Sequence, residues 1–156
     1  MGLDPELGRQ VAVKAIGALP GESATDAARA LREARSSAAL NHRNVVSVFD
    51  IVDTEDGNAW LVMEYVPSRT LGEIVREDGP LPPPRAARIG AQVAEGLAAA
   101  HAAGTIHRDV KPGNILVNDD NHAKLGDFGI ARTAGDAALT QTGMVTGSPA
   151  FLAPEV

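Results

Sequence analysis

His107, Arg108 and Asp109 are followed by Lys111 and Asn114, and then by Asp127-Phe128-Gly129. Two acids, a lysine and an amide in this order suit one task, which is to hold a metal-bound phosphate against a hydroxyl. Such a transfer needs little covalent help from the protein. It needs in-line geometry and positive charge on the phosphate oxygens. Asp127, just ahead of a glycine in a tight bend, offers the carboxylate oxygen that magnesium prefers. Asn114 offers a neutral amide oxygen for a second ion. Asp109 is the candidate to orient the accepting hydroxyl and to take its proton. Lys111 can neutralise the transferring phosphate.

A lone Asp-Phe-Gly carries little information. The longer pattern H-R-D-x-K-x-x-N with D-F-G after it is far more specific. It is flanked by Val11-Ala12-Val13-Lys14 upstream and Ala153-Pro154-Glu155 downstream, which makes coincidence very unlikely. Lys14 sits inside an apolar run, where an unpaired ammonium is costly, so it requires a carboxylate partner.

The elements that must position these groups can be read coarsely. Residues 10–16 read as a strand carrying Lys14, and residues 25–40 as a helix rich in Ala, Leu, Arg and Glu. Residues 45–53 and 59–65 read as two strands about a turn at 55–58. Residues 71–77 read as a short helix, stopped by a stiff proline linker at 80–84. The longest helical pattern runs from 85 to 103, with Ile89, Val93, Leu97 and His101 on its apolar face and Gly104 at its C-terminal end. Residues 115–117 and 123–125 read as short strands around a turn at 118–121. Residues 133–150, rich in Thr, Gly, Ala and Ser, read as a mobile loop. The change from strands to helices near 66–70 marks a boundary between two lobes.

Composition narrows the classes. The 156 residues are 44% hydrophobic and 22% charged, with 16 glycines and 10 prolines, which suits one folded domain rather than a disordered chain. Aromatic residues are only 3%, so the core must be aliphatic. A net charge of −6 argues against nucleic acid and anionic membrane as partners. The absence of cysteine excludes disulfides and cysteine-bound zinc, and fits a reducing, cytoplasmic setting. No apolar run is long enough to span a bilayer, so no membrane contact is expected from this segment, and any anchor lies elsewhere in a parent protein.

With these motifs the chain resembles the bacterial Hanks-type Ser/Thr protein kinases, of the receptor type found in actinobacteria, over nearly its whole length. The resemblance implies an α+β, two-lobed fold: a small β-rich lobe with one helix over residues 1–63, a hinge at 64–70 and a mainly helical large lobe over 71–156. It implies ATP and magnesium, with manganese as an alternative ion, and protein substrates bearing Ser or Thr. It admits a kinase homodimer for trans-autophosphorylation. It assigns the roles given above to Asp109, Lys111, Asn114 and Asp127. It pairs Lys14 with Glu33 to hold the α- and β-phosphates, although Arg29, Arg32 and Arg35 make a local helix ion pair a competitor. It puts Ala12 and Leu116 on the two faces of the adenine ring, Met63 behind it, and the backbone of Glu64 to Val66 along its edge. His107, Phe128 and Val48 match an apolar stack that aligns the lobes, with Ser37 as an unusually small fourth member. Arg108 would capture a phosphate on the activation segment, with Thr140 and Thr142 as phosphosites. Ser148 would bond the Asp109–Lys111 pair.

Plain readings stand beside these. His107 is a structural core histidine rather than a base. His101 belongs to the core or to the helix end, and His42 and His122 to loops. Thr140 and Thr142 can be ordinary solvated hydroxyls. The family's glycine-rich loop has no counterpart before Val11, nor does Val156 extend to the large-lobe helix that supports the catalytic loop. The expectation is therefore an incomplete domain with an exposed edge on the Lys14 strand, and with bare apolar surface on the long helix and beneath the catalytic loop. Such a piece is expected to be inactive by itself. The alternative is a non-catalytic, kinase-like module that binds and modulates a full-length kinase.

Overall fold

The computed structural model describes residues 1–16, 40–54, 59–127 and 151. The expected helix at 25–40, except its last residue, the turn at 55–58 and the loop at 133–150 lie outside these residues. Two sheets and two helices make up the described fold, in keeping with the expected α+β class.

Strands β1 (Gly2–Asp4), β2 (Arg9–Ile16), β3 (Val48–Asp53) and β4 (Ala59–Glu64) form an antiparallel sheet in the order β1-β2-β4-β3. The first hairpin is closed by Asp4, whose Oδ1 accepts the N–H groups of Glu6 and Leu7, both at 3.1 Å. Gly8 completes the turn at φ +63°, a conformation side chains rarely adopt, and donates to the Asp4 carbonyl at 2.8 Å. This hairpin narrows the expected bare edge. Gly2, Leu3 and Asp4 pair with Val11, Gln10 and Arg9, and only the half of β2 that carries Lys14 runs beyond the end of β1. Across the sheet Lys14 faces Leu61, and Ala12 faces Met63. Leu61 is fully buried against Val48, Ile51 and Met63, so Lys14 does project from an apolar face.

The second sheet has the order β5-β6-β7, from Arg69–Thr70, Ile115–Val117 and Ala123–Leu125. Helix α1 (Leu71–Asp78) begins with a capping box: Glu73 N–H donates to the Thr70 hydroxyl at 3.1 Å, and Thr70 N–H donates to the Glu73 carboxylate at 2.8 Å. Helix α2 (Pro83–Ala102) starts inside the expected proline linker. Pro83 and Pro84 occupy its first turn, where the missing N–H groups would have had no helical partner. The buried stripe is Ile89, Val93, Gly96 and Ala100. His101 is exposed and lies in the last turn, so the apolar face runs through Ala100 instead. The helix is stopped by Gly104, whose N–H bonds the His101 carbonyl at 2.9 Å.

The core joins α1, α2, β6 and β7 through Ile74, Ile89, Val93, Ile115, Val117 and Leu125. It also takes in Leu40 and Val45 from the segment before β3. This divides the expected strand at 45–53. Val45 bridges Leu125 in parallel, and regular pairing with β4 begins only at Val48. The free side of β7 captures residues 44–46 before the chain reaches the first sheet. No large hydrophobic residue of α2 is exposed; bare apolar surface beside the catalytic segment is at Ile106 (63%) and Val110 (38%).

Candidate active site

The candidate residues come from four places: Lys14 in mid-β2, residues 107–111 between α2 and the 3-10 turn Pro112–Asn114, that turn itself, and Gly126-Asp127 after β7. Lys14 Nζ donates to Asp127 Oδ1 at 2.8 Å, across 113 residues of sequence. Both side chains are about one-third exposed, at 28% and 35%. Lys111 Nζ lies 2.6 Å from Asp109 Oδ2. Asn114 Nδ2 donates to the same oxygen at 3.0 Å and to the Asp109 carbonyl at 2.8 Å. Two donors on one oxygen hold the orientation of the Asp109 carboxylate.

The two acids are tied together by backbone. Gly126 N–H donates to the Asn114 carbonyl at 2.9 Å, so β7 extends its pairing with the β6 side up to the residue before Asp127. His107 locks the same glycine from the other polar group. Its Nδ1 accepts from Asp109 N–H at 3.2 Å, which leaves Nε2 as the protonated nitrogen that donates to the Gly126 carbonyl at 2.9 Å. The ring is 1% exposed, and burial pushes its pKa below the ordinary 6.5. A neutral, doubly bonded imidazole is a structural bracket, as the sequence reading held. Arg108 at φ +66° and Asp127 at φ +56° flank this bracket. Non-glycine residues in that region store strain, and strain of this kind concentrates where a side chain must be aimed.

The remaining candidates divide into those brought near this cluster and those outside the described residues. Ala12 and Met63 face one another on the first sheet. Val66 follows β4, and Leu116 is the middle residue of β6. Glu64 ends β4, its N–H bonded to the Ser47 carbonyl at 2.9 Å. Glu33, Ser37, Phe128, Thr140, Thr142 and Ser148 lie outside the described residues. The carboxylate that Lys14 meets among the described residues is that of Asp127.

Sequence reasoning missed Lys124. Its ammonium donates to the Glu64 carboxylate at 2.7 Å, with only 15% of the lysine side chain exposed. The Glu64 carboxylate also accepts Ser47 N–H at 3.2 Å. One ion pair therefore ties the end of the first sheet to β7. A lysine alternating with buried Ala123 and Leu125 was the available signal, since it must leave the core on the face turned toward another element.

The donor chemistry fits a magnesium ion. Asp127 supplies a carboxylate, and with Nδ2 of Asn114 committed to Asp109, the amide oxygen is the atom left for an ion. Two hard oxygen donors suit an ion that keeps several waters and takes phosphate oxygens as further ligands. Among the described residues no three His, Cys, Asp or Glu side chains form an all-protein cage.

Residues 2–156 match the protein kinase domain family. The chain belongs to that family. Similar curated proteins include the serine/threonine-protein kinase PknL of Mycobacterium tuberculosis (strain ATCC 25618 / H37Rv), 44% identical over 155 residues that cover 99% of this chain and 38% of the relative. The serine/threonine-protein kinase PknB of Mycobacterium leprae (strain TN) is 43% identical over 156 residues, covering 97% of this chain and 25% of the relative. A probable serine/threonine-protein kinase of Corynebacterium efficiens is 44% identical over 154 residues, 96% of this chain and 23% of that protein. This kinase-domain chain thus spans well under half the length of these relatives. The relatives are actinobacterial, as the motifs had implied. No helix among the described residues is long and apolar enough to cross a membrane.

Proposed function

We propose that this chain carries the adenine-binding edge and the catalytic segment of a kinase that transfers phosphate from ATP to Ser or Thr hydroxyls of proteins. The single observation that carries this reading is the continuous set of bonds from Lys14 through Asp127 and Gly126 to Asn114, Asp109 and Lys111. It gathers two cations, two carboxylates and an amide from distant parts of the sequence. Relatives named as Ser/Thr kinases over the same residues support the choice of acceptor.

In this reading Lys14 holds the α- and β-phosphates, and its ion pair with Asp127 keeps the ammonium in place until nucleotide arrives. Asp127 and Asn114 hold magnesium, which when bound supplies positive charge to the phosphate oxygens. Asp109, oriented by Lys111 and Asn114, accepts a hydrogen bond from the substrate hydroxyl and aims its oxygen at the phosphorus. Lys111 balances charge on the moving phosphoryl group. Ala12 and Leu116 flank the adenine, Met63 lies behind it, and the backbone of Glu64 to Val66 meets its polar edge. Residues 1–63, 64–70 and 71–156 then serve as small lobe, hinge and large lobe. Autophosphorylation at Thr140 and Thr142, read by Arg108, and a brace from Ser148 complete the proposal, with Glu33 and Phe128 in their family roles.

The test is phosphate transfer from ATP to a generic basic protein, measured in a chimera that places this segment within the flanking sequence of its PknL relative. Replacing Asp109 or Asp127 with Asn should lower transfer by on the order of 10³-fold, since each removes a group needed at the reacting atoms. Unchanged transfer in both variants would defeat the role assignments.

A further inference from the structure

The outer side of β7 has an unusual neighbour. The N–H and C=O of Ala123 and of Leu125 are all bonded outside the β5-β6-β7 sheet. Leu125 is served by a short parallel segment, donating to the Asn44 carbonyl at 2.8 Å and accepting from Val46 N–H at 2.9 Å. Ala123 is served by side chains. Its N–H donates to Gln92 Oε1 at 2.9 Å, and its carbonyl accepts from Asn44 Nδ2 at 2.8 Å. Two amide side chains thus stand where the backbone of a further strand would be. They are also joined to each other, Asn44 Nδ2 donating to Gln92 Oε1 at 3.2 Å.

Gln92 uses its whole amide. Oε1 receives two donors, and Nε2 donates to the Asn121 carbonyl at 2.9 Å and to the Arg88 carbonyl, one helical turn earlier, at 3.3 Å. It thereby links α2, the turn before β7, β7 itself and Asn44. Asn44 is 0% exposed, and among the described residues its Oδ1 has no partner, so its amide is held through Nδ2 alone, by the Ala123 carbonyl and Gln92 Oε1. Gly96, one turn further along α2, lets the helix approach closely: a Cβ there would lie 2.8 Å from the Asn44 carbonyl oxygen. Two residues past Leu125, with only Gly126 between, stands Asp127.

We infer that Gln92 is a positioning residue for Asp127: its amide replaces a strand along the outer side of β7 and so sets where that strand delivers its carboxylate to a metal–nucleotide complex. This rests on the kinase reading above. It gives a helix residue remote in sequence from every motif a specific part in magnesium-dependent nucleotide binding. It predicts a selective effect, because Ala12, Met63, the adenine-binding edge at Glu64 to Val66 and Lys14 belong to the other sheet and its exit, while Leu116 of β6 lies on the opposite side of β7 from Gln92.

The test is calorimetric titration of the PknL chimera described above with ATP, once with magnesium and once with chelator. Gln92→Met keeps length and removes the acceptor. It should weaken binding of magnesium–ATP about tenfold, as expected when the Ala123 N–H and Asn44 Nδ2 lose their shared, partly buried acceptor. Binding of metal-free ATP should stay at the wild-type value. Gln92→Glu keeps an oxygen for Ala123 N–H and Asn44 Nδ2 but turns its second oxygen on the Asn121 and Arg88 carbonyls, so it too should weaken magnesium–ATP binding by about tenfold and spare metal-free ATP, a selectivity that mere filling of space would not give. Gln92→Asn, which withdraws the oxygen by one methylene, is read in parallel and carries the test if the methionine variant does not fold. Equal binding in all variants, or an equal loss with and without magnesium, would overturn the inference. Wild-type binding that ignores magnesium would instead overturn the kinase reading, and this inference with it.

Discussion

The four-stranded sheet and the β6–β7 region each hold one end of the Lys14–Asp127 ion pair, and they are built differently. Around β7 every outward backbone group is bonded, His107 brackets Gly126, and buried Asn44, His107 and Asn114 add polar ties to an aliphatic core. Among the residues whose burial is described, the four-stranded sheet has one fully buried large residue, Leu61, while Val13, Val52 and Trp60 remain 39–45% exposed. Arg9 covers part of this surface, its guanidinium 3.6 Å from the centre of the Phe49 ring. The contrast shows where aiming matters. Asp109 and Asn114 must meet within hydrogen-bond distance, with Asp127 placed beside them through Gly126, and short strands achieve this only when both of their sides are held. Lys14 needs only to reach across, and a long side chain tolerates a looser base.

Core truncation measures this difference most strongly. Leu125→Ala should cost about 3–5 kcal/mol and Leu61→Ala about 2–3 kcal/mol, because the cavity at Leu125 is walled by two helices and a sheet that cannot collapse into it. Equal losses in chemical denaturation would erase the distinction. Gly96→Ala comes next. Its new methyl meets a backbone carbonyl rather than a yielding side chain, so a loss of about 1–3 kcal/mol is expected, against the usual gain for such a change in a helix. A neutral or stabilising result in the same assay would mean that α2 and residues 44–46 are not tightly joined.

The tie between the two regions should register less. Lys124→Met and Glu64→Gln should be coupled by about 1 kcal/mol in a double-mutant cycle, reduced from a fully buried pair by partial exposure. Additive losses would show that the regions are joined by other contacts alone. The smallest effect is in pH. His107 resists protonation when folded, whereas the unfolded chain takes up a proton near 6.5. Stability should therefore decline as pH falls from 6.5 toward the lowered folded value, and level off below it. Thermal unfolding of His107→Gln should show a flatter profile over this interval; an identical slope would place the titration elsewhere.

Much of this was legible in advance, for local reasons. The strand around Lys14, the short strands at 115–117 and 123–125 and the helix from Leu71 follow from apolar runs, turn residues and a capping box close in sequence. Errors arose where a distant partner decided the outcome. Residues 45–53 look like one strand by composition, yet β7 takes their first part. Residues 80–84 look like a linker, yet Pro83 and Pro84 are acceptable in the first turn of a helix that packs well beyond them. The start of β1 was masked because Gly2-Leu3-Asp4 has no strand pattern of its own and gains one only by pairing with Arg9–Val11.

The chain alone determined which chemical groups are present and in what order, because motif spacing is a property of covalent connectivity. It determined the family for the same reason. The partner that each group meets was decided in three dimensions: Asp127 for Lys14, Glu64 for Lys124, and Ala123 with Asn44 for Gln92. Hydrogen bonds and ion pairs act over about 3 Å, and only the packing of β6 and β7 against the helices and the ties between the two sheets bring residues so far apart in sequence within that range.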